Sequence, residues 1–184
     1  MGSIYLQTDR MELREFTMDD AETLVALDSD PEVMRFVSAG APTPIEVIRD
    51  EILPKFMRFY GDGSGLGGWV AVDRDTQEFL GWFHLRPFDP DPSALDLGYR
   101  FARWAWDRGL ATEGSRALIA KGFGQLSAER IVAKTMRANR ASQRVMEKAG
   151  LPFDSDYVED RFPGEDKAAV LHSLTREEYE AQTI

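Results

Sequence analysis

The stretch from Ala94 to Met136 constrains the fold most. Ala94–Phe101 reads as a strand and Leu110–Leu126 as the clearest helix, with Leu118 or Ile119, Phe123 and Leu126 at helical spacing. Arg130–Met136, built round Ile131 and Val132, reads as the next strand. A helix between two such strands is a crossover, which makes them parallel with a right-handed connection. The strand-like runs Trp69–Asp73 and Phe79–Leu85 precede this unit over short connections, so those three strands should be antiparallel. Both kinds of pairing imply a mixed α/β sheet covered by helices. No repeat or linker divides the chain, so 1–184 reads as a single domain.

The flanks are read from local signals. Arg10–Phe16 reads as a strand, and Thr17-Met-Asp-Asp20 opens a helix with a hydroxyl cap and early acids. Thr43-Pro44-Ile45-Glu46 opens another, with Thr43 as cap and Pro44 at the first helical position. Pro54 should kink or end that helix, leaving residues 55–60 as a separate turn. Residues 61–68 are glycine-rich and read as a flexible loop. Asn139–Ala149 reads as a short helix stopped by Gly150, followed by strands near Tyr157 and at Ala168–Leu174. Thr175 caps a short terminal helix.

Composition excludes several classes. The longest apolar runs, such as Trp69–Val72, span about four residues, against the roughly 20 of a membrane helix. No basic region leads into an apolar stretch at the N-terminus, so no secretory signal is visible. The absence of cysteine excludes disulfides, thiolate metal sites and cysteine nucleophiles, and fits the cytoplasm. With two separated histidines, no zinc set is expected. A net charge of −10 argues against nucleic acid as a partner. That charge is segregated: residues 100–148 carry 11 basic and four acidic side chains, a balance of +7 that leaves −17 elsewhere. Solvated helix faces would account for this, as would an anionic ligand on the basic segment and a cationic one facing the remainder.

Three motifs are candidates for chemistry. Gly63-Ser-Gly-Leu-Gly-Gly68 contains G-x-G-x-x-G, but it precedes a strand instead of opening a helix, so it reads as a surface loop. Trp104-Ala-Trp-Asp-Arg108-Gly109-Leu110-Ala111-Thr112-Glu113 lies between a strand and the best helix, where free amides and the helix dipole would cradle a phosphate. In Asn139-Arg-Ala-Ser142-Gln-Arg-Val-Met-Glu-Lys-Ala-Gly150, Asn139 suits a helix cap and Ser142 an exposed first-turn residue. The P-loop and nucleophile-elbow patterns are absent.

In this order and spacing, Leu97-Gly-Tyr99, Gly109–Glu113 and Asn139–Gly150 resemble the GNAT N-acetyltransferase superfamily, and more closely its ribosomal-protein N-terminal acetyltransferase branch. The resemblance runs from Arg10 to the last strand. It implies the GNAT acyl-CoA N-acyltransferase fold, with residues 10–60 on the acceptor side, 69–150 as central sheet and acetyl-CoA core, and 151–184 as terminal strands and helix. It also implies direct transfer of acetyl from acetyl-CoA to a primary amine, a protein N-terminus or a small amine. The amides of Arg108, Gly109, Leu110, Ala111 and Thr112 would hold the pyrophosphate. Phe101, Arg103 and Asn139 would meet the pantetheine arm, and the strand backbone near Tyr99 would polarise the carbonyl. Ser142 would be the general acid at the sulfur, or would simply hydrogen-bond it. Asp96 is the first choice of general base, with His84 the second, while His172 reads as structural. Two positions depart from the family pattern: Trp106 replaces a Gln or Arg, and Asp107 stands where the branch has Gly, tolerable only if it faces solvent. The acidic remainder favours a cationic acceptor. A non-catalytic acyl-CoA sensor, an enzyme using succinyl-CoA, and the choice between monomer and homodimer stay open.

Overall fold

The computed structural model describes residues 2–89, 91–160 and 164–183. Eight strands form one sheet in the order β1-β2-β3-β4-β5-β6-β8-β7. They are β1 (Ile4–Gln7), β2 (Met11–Glu15), β3 (Gly67–Asp73), β4 (Phe79–Pro87), β5 (Ala94–Phe101), β6 (Arg130–Met136), β7 (Phe153–Val158) and β8 (Ala168–Thr175). Neighbours from β2 to β5 pair antiparallel, and β5 pairs parallel with β6, as the crossover demands. The crossover helix α5 covers Leu110–Gly124. Helix α6 (Arg140–Ala149) carries Asn139 as its cap and ends on Gly150 at φ +100°, and α7 (Arg176–Thr183) closes the chain.

Two apolar layers sandwich the sheet, and strand alternation assigns residues to them. Trp69, Phe83, Leu85, Leu97 and Phe101 pack with Leu110, Leu118 and Met146 beneath α5 and α6. Val70, Val72 and Trp82 pack on the opposite face with Leu24, Ile48, Leu53 and Phe56. That second layer comes from α1 (Ala21–Asp28) and the segment of α3 (Ile45–Val47), a π turn (Ile48–Ile52) and α4 (Leu53–Met57).

Several expectations need correction. Helix α2 (Pro31–Ser38) and edge strand β1 lie where no element was expected. Asp30 accepts from the Glu32 amide and Pro31 occupies the first turn, so α2 has a regular start hidden in an apparent turn. Pro54 does not break its helix. The π turn lets the Leu53 amide reach back five residues to the Ile48 carbonyl, and Pro54 begins a fresh α turn where its missing N–H is not needed. Thr43 does not cap this segment, because its hydroxyl donates to Asp28 Oδ2 at 2.5 Å. Gly67 and Gly68 belong to β3 instead of the loop, and a Cβ on Gly68 would lie 2.6 Å from the Phe56 ring.

Candidate active site

Strands β5 and β6 pair only from Ala94–Asp96 to Arg130–Val132, although β5 continues to Phe101 and β6 to Met136. Beyond Asp96 the two strands diverge, and the β6-side backbone edge of β5 is left without a strand partner. Helix α5 begins beyond this wedge. Its cap, Gly109, takes φ +75°, a left-handed conformation that disfavours a Cβ, and has no side chain to bond the first-turn amides. The amides of Leu110, Ala111 and Thr112 are therefore offered to a ligand, and an anionic phosphate is the ligand they fit. A groove of ≈ 720 Å³ beside them is lined by Arg10, Gly109, Thr112, Arg116 and Lys148. These features fit the pyrophosphate end and the extended arm of acetyl-CoA. Asp107 is exposed at φ +57°, and Trp106 Nε1 donates to the Phe101 carbonyl at 2.8 Å, tying the loop to β5.

The other expected residues fall into distinct roles. Phe101 and Leu110 are buried in the core, leaving only backbone groups to a ligand. Arg108 is exposed, stacks over Trp104, and its carbonyl accepts from Arg10 Nη1 at 2.9 Å. Arg103 points to Asp30 Oδ2 at 3.1 Å. Asn139 Oδ1 accepts from the Ser142 amide at 3.2 Å. Tyr99 and Ser142 come together across 43 positions: the phenol hydroxyl donates to the Ser142 carbonyl at 3.0 Å and lies 3.0 Å from Ser142 Oγ. Burial holds the Tyr99 hydroxyl above its ordinary value, so it keeps its proton. Glu113 bonds Arg10 at both its backbone N and Nε, fixing β2 to α5. His172 is wholly buried with Nδ1 on the Leu151 carbonyl, a structural placement.

On the opposite face of the sheet, cross-strand rows align Trp82 with Arg100, His84 with Gly98 and Arg86 with Asp96. The His84 ring lies over Gly98, where a Cβ would sit 2.4 Å from Cε1, so only glycine fits beneath it. His84 Nε2 is 3.2 Å from Asp96 Oδ2, which also accepts from Arg86 Nε and Nη2. Burial would raise the Asp96 carboxyl, but the His84 hydrogen bond with the charges of Arg86 and Lys134 outweighs it and holds it at about 2. An ionised Asp96 accepts only, so the proton of the neutral ring belongs on Nε2 and Nδ1 carries the lone pair. Burial, ahead of the opposing pull of Asp96, lowers the His84 pKa below 6.5. Nδ1 has no hydrogen-bond partner among the described residues. His84 lines a cavity of ≈ 170 Å³ with Trp82, Phe56, Ile52, Arg86 and Arg100. Asp96 and His84 stood in the sequence as alternative bases, not as a pair, and Trp82, Arg86 and Arg100 were not expected beside them, although every second position of β4 and β5 carries the signal.

A sheet opened between parallel strands, uncapped amides at the start of α5 and a small cavity lined by His84 on the opposite face suit an acyl-CoA-dependent transferase. The chain belongs to the GNAT acetyltransferase family: residues 10–152 match the model of the acetyltransferase (GNAT) domain. It is 32% identical, over 95% of its length and 77% of the relative's, to FsC-acetyl coenzyme A-N(2)-transacetylase of Aspergillus fumigatus. It is 27% identical to the uncharacterized N-acetyltransferase p20 of Bacillus licheniformis, covering 95% and 97% of the two chains. The fold matches a GNAT-family acetyltransferase from Bacillus anthracis with TM-score 0.77 at 20% identity, over 94% and 99% of the chains.

Proposed function

We propose that this enzyme moves the acetyl group of acetyl-CoA directly to a primary amine seated in the cavity beside His84. The observation that carries this reading is the His84–Asp96 pair: His84 lines the cavity, and its partner Asp96 is the last residue of β5 that pairs with β6. Acetyl-CoA supplies an activated thioester; the Leu110–Thr112 amides would hold its pyrophosphate and the free edge of β5 its arm. His84 is the base in this reading: its Nδ1, unpartnered but buried in this structure, takes the proton of the amine once ring movement uncovers it to the cavity. Asp96 touches no reacting atom in this scheme, and acts through His84 by keeping the other ring proton on Nε2. Ser142 Oγ, hydrogen-bonded to Tyr99, holds the proton that the departing sulfur takes up. Kinship with the ribosomal-protein branch rests on Ser142 within the Asn139–Gly150 run, and residues 10–60 supply the acceptor side.

The test is thiol release from acetyl-CoA across a panel of primary amines. Turnover is expected with at least one amine class. His84→Gln should lower kcat by on the order of 10²-fold, the usual size of a general-base contribution. It should leave the thermal stabilisation by acetyl-CoA intact. Full activity in His84→Gln would remove the base assignment.

A further inference from the structure

We propose that the acceptor is a small amine that also carries a carboxylate, an amino acid with an apolar side chain, in place of a polyamine or a neutral peptide N-terminus. The inference rests on the acetyltransferase reading above and names the substrate class of the same site. Its basis is which charges at the cavity are already paired. Asp28 is buried, with Oδ1 on Arg100 Nη1 and Oδ2 on the Thr43 hydroxyl, both at 2.5 Å. Asp96 is buried behind His84 and bonded to it and to Arg86. Both oxygens of Asp28 are thus engaged, and Asp96, 6% exposed, does not line the cavity, so neither presents a free carboxylate to a cationic ligand there.

The guanidiniums are not used up. Arg86 gives Nε and Nη2 to Asp96, and among the described residues its Nη1 has no partner, while its side chain is 41% exposed. Arg100 gives Nη1 to Asp28 and stacks over Trp82, and among the described residues its Nε and Nη2 have no partner. Lys55 stands at the same cavity, held only by an exposed ion pair with Glu51. The pairing rows set Arg86 and Arg100 on either side of the His84–Gly98 row, each about 7 Å along the strands. An amine delivered to His84 therefore arrives between two planar groups suited to a carboxylate. A second ammonium would meet like charge there. The remaining walls, Leu24, Ile48, Ile52, Phe56 and Trp82, are apolar. A volume of ≈ 170 Å³ is below the range of drug-sized ligands, so the portion enclosed is small.

The experiment compares aliphatic, aromatic and ω-amino acids with their matched amides and decarboxylated amines, by thiol release from acetyl-CoA. Polyamines and short peptides with neutral N-terminal residues complete the panel. At least one amino acid should exceed its amide and its decarboxylated amine in kcat/KM by tenfold or more. Arg86→Gln or Arg100→Gln should shrink that ratio to within about threefold, a readout that a general loss of activity would not move. Amides, polyamines or peptides acetylated as well as the free amino acids would overturn this proposal and leave the acetyltransferase reading standing. Thiol release with no amine of any kind would sink both.

Discussion

His84 draws its chemistry from neighbours that pull in opposite directions. Burial and the nearby cations Arg86 and Arg100 disfavour the imidazolium, while Asp96 favours it. The balance falls below 6.5, so the ring is neutral at pH 7 and gains a proton only further into acid. The stability contribution of this neutral ring is therefore whole above about 6.5 and is lost as pH falls below that value. Asp96 behaves with the same sign at lower pH: its contribution is whole above 3.8 and disappears as pH falls through about 2. In kinetics, the acid limb of kcat/KM should lie below 6.5. Asp96→Asn removes the charge that favours the imidazolium, so the limb should shift to still lower pH while kcat falls by about tenfold or more. A pH–rate profile of the two proteins checks this. An unmoved limb would mean that another group titrates.

At the scale of elements, the proposed acceptor site is built by period-two alternation in β4 and β5. Phe83, Leu85, Leu97 and Phe101 enter the core beneath α5, so Trp82, His84, Arg86, Asp96, Gly98 and Arg100 must share the other face. This much was legible in the sequence once the antiparallel register was fixed. The helices that wall the cavity were less so. The π turn at Ile48–Ile52 reconciles Pro54 with a continuing helix and depends on tertiary packing that local signals do not encode, whereas the α2 start carries local signals, Asp30 as cap and Pro31 in the first turn, inside what reads as a turn. The α5 start and the β5–β6 crossover were legible because Gly109, the helical spacing and the strand runs all point the same way. The pairing of Tyr99 with Ser142 joins residues 43 apart and depends on how far β5 and β6 diverge, which no spacing rule supplies. Gly98 tests the β4–β5 row directly. Gly98→Ala should cost about 1–3 kcal/mol by overpacking and displace the imidazole from over β5. Thermal unfolding and kcat, measured on one preparation, should both fall. A fully active Gly98→Ala would mean that the working ring does not sit there.

For the molecule as a whole, the charge segregation has a different meaning from the one its sequence suggested. Six cations of the +7 segment reach acids of the −17 remainder: Arg100–Asp28, Arg103–Asp30, Arg108–Asp73, Arg130–Asp154, Lys134–Glu159 and Arg137–Asp156. Much of the asymmetry is thus internal complementarity between segments, and it no longer argues for a cationic acceptor. Among the described residues, Arg116, Lys121, Arg140, Arg144 and Lys148 have no carboxylate partner, and all five lie on α5 or α6. Arg116 and Lys148 line the groove beside the free α5 amides. Two of the five unpaired cations thus stand beside the proposed site of the donor's phosphates. They are exposed, so salt should screen them: the Debye length falls from about 10 Å at 0.1 M to 3 Å at 1 M. Raising salt over that range should increase the KM for acetyl-CoA several-fold. A phosphate-free acetyl-pantetheine thioester should show little change, because it lacks the charges that the groove attracts. Equal salt effects on the two donors would mean that salt acts on the acceptor or the fold, and that these α5 and α6 cations do not bind the donor.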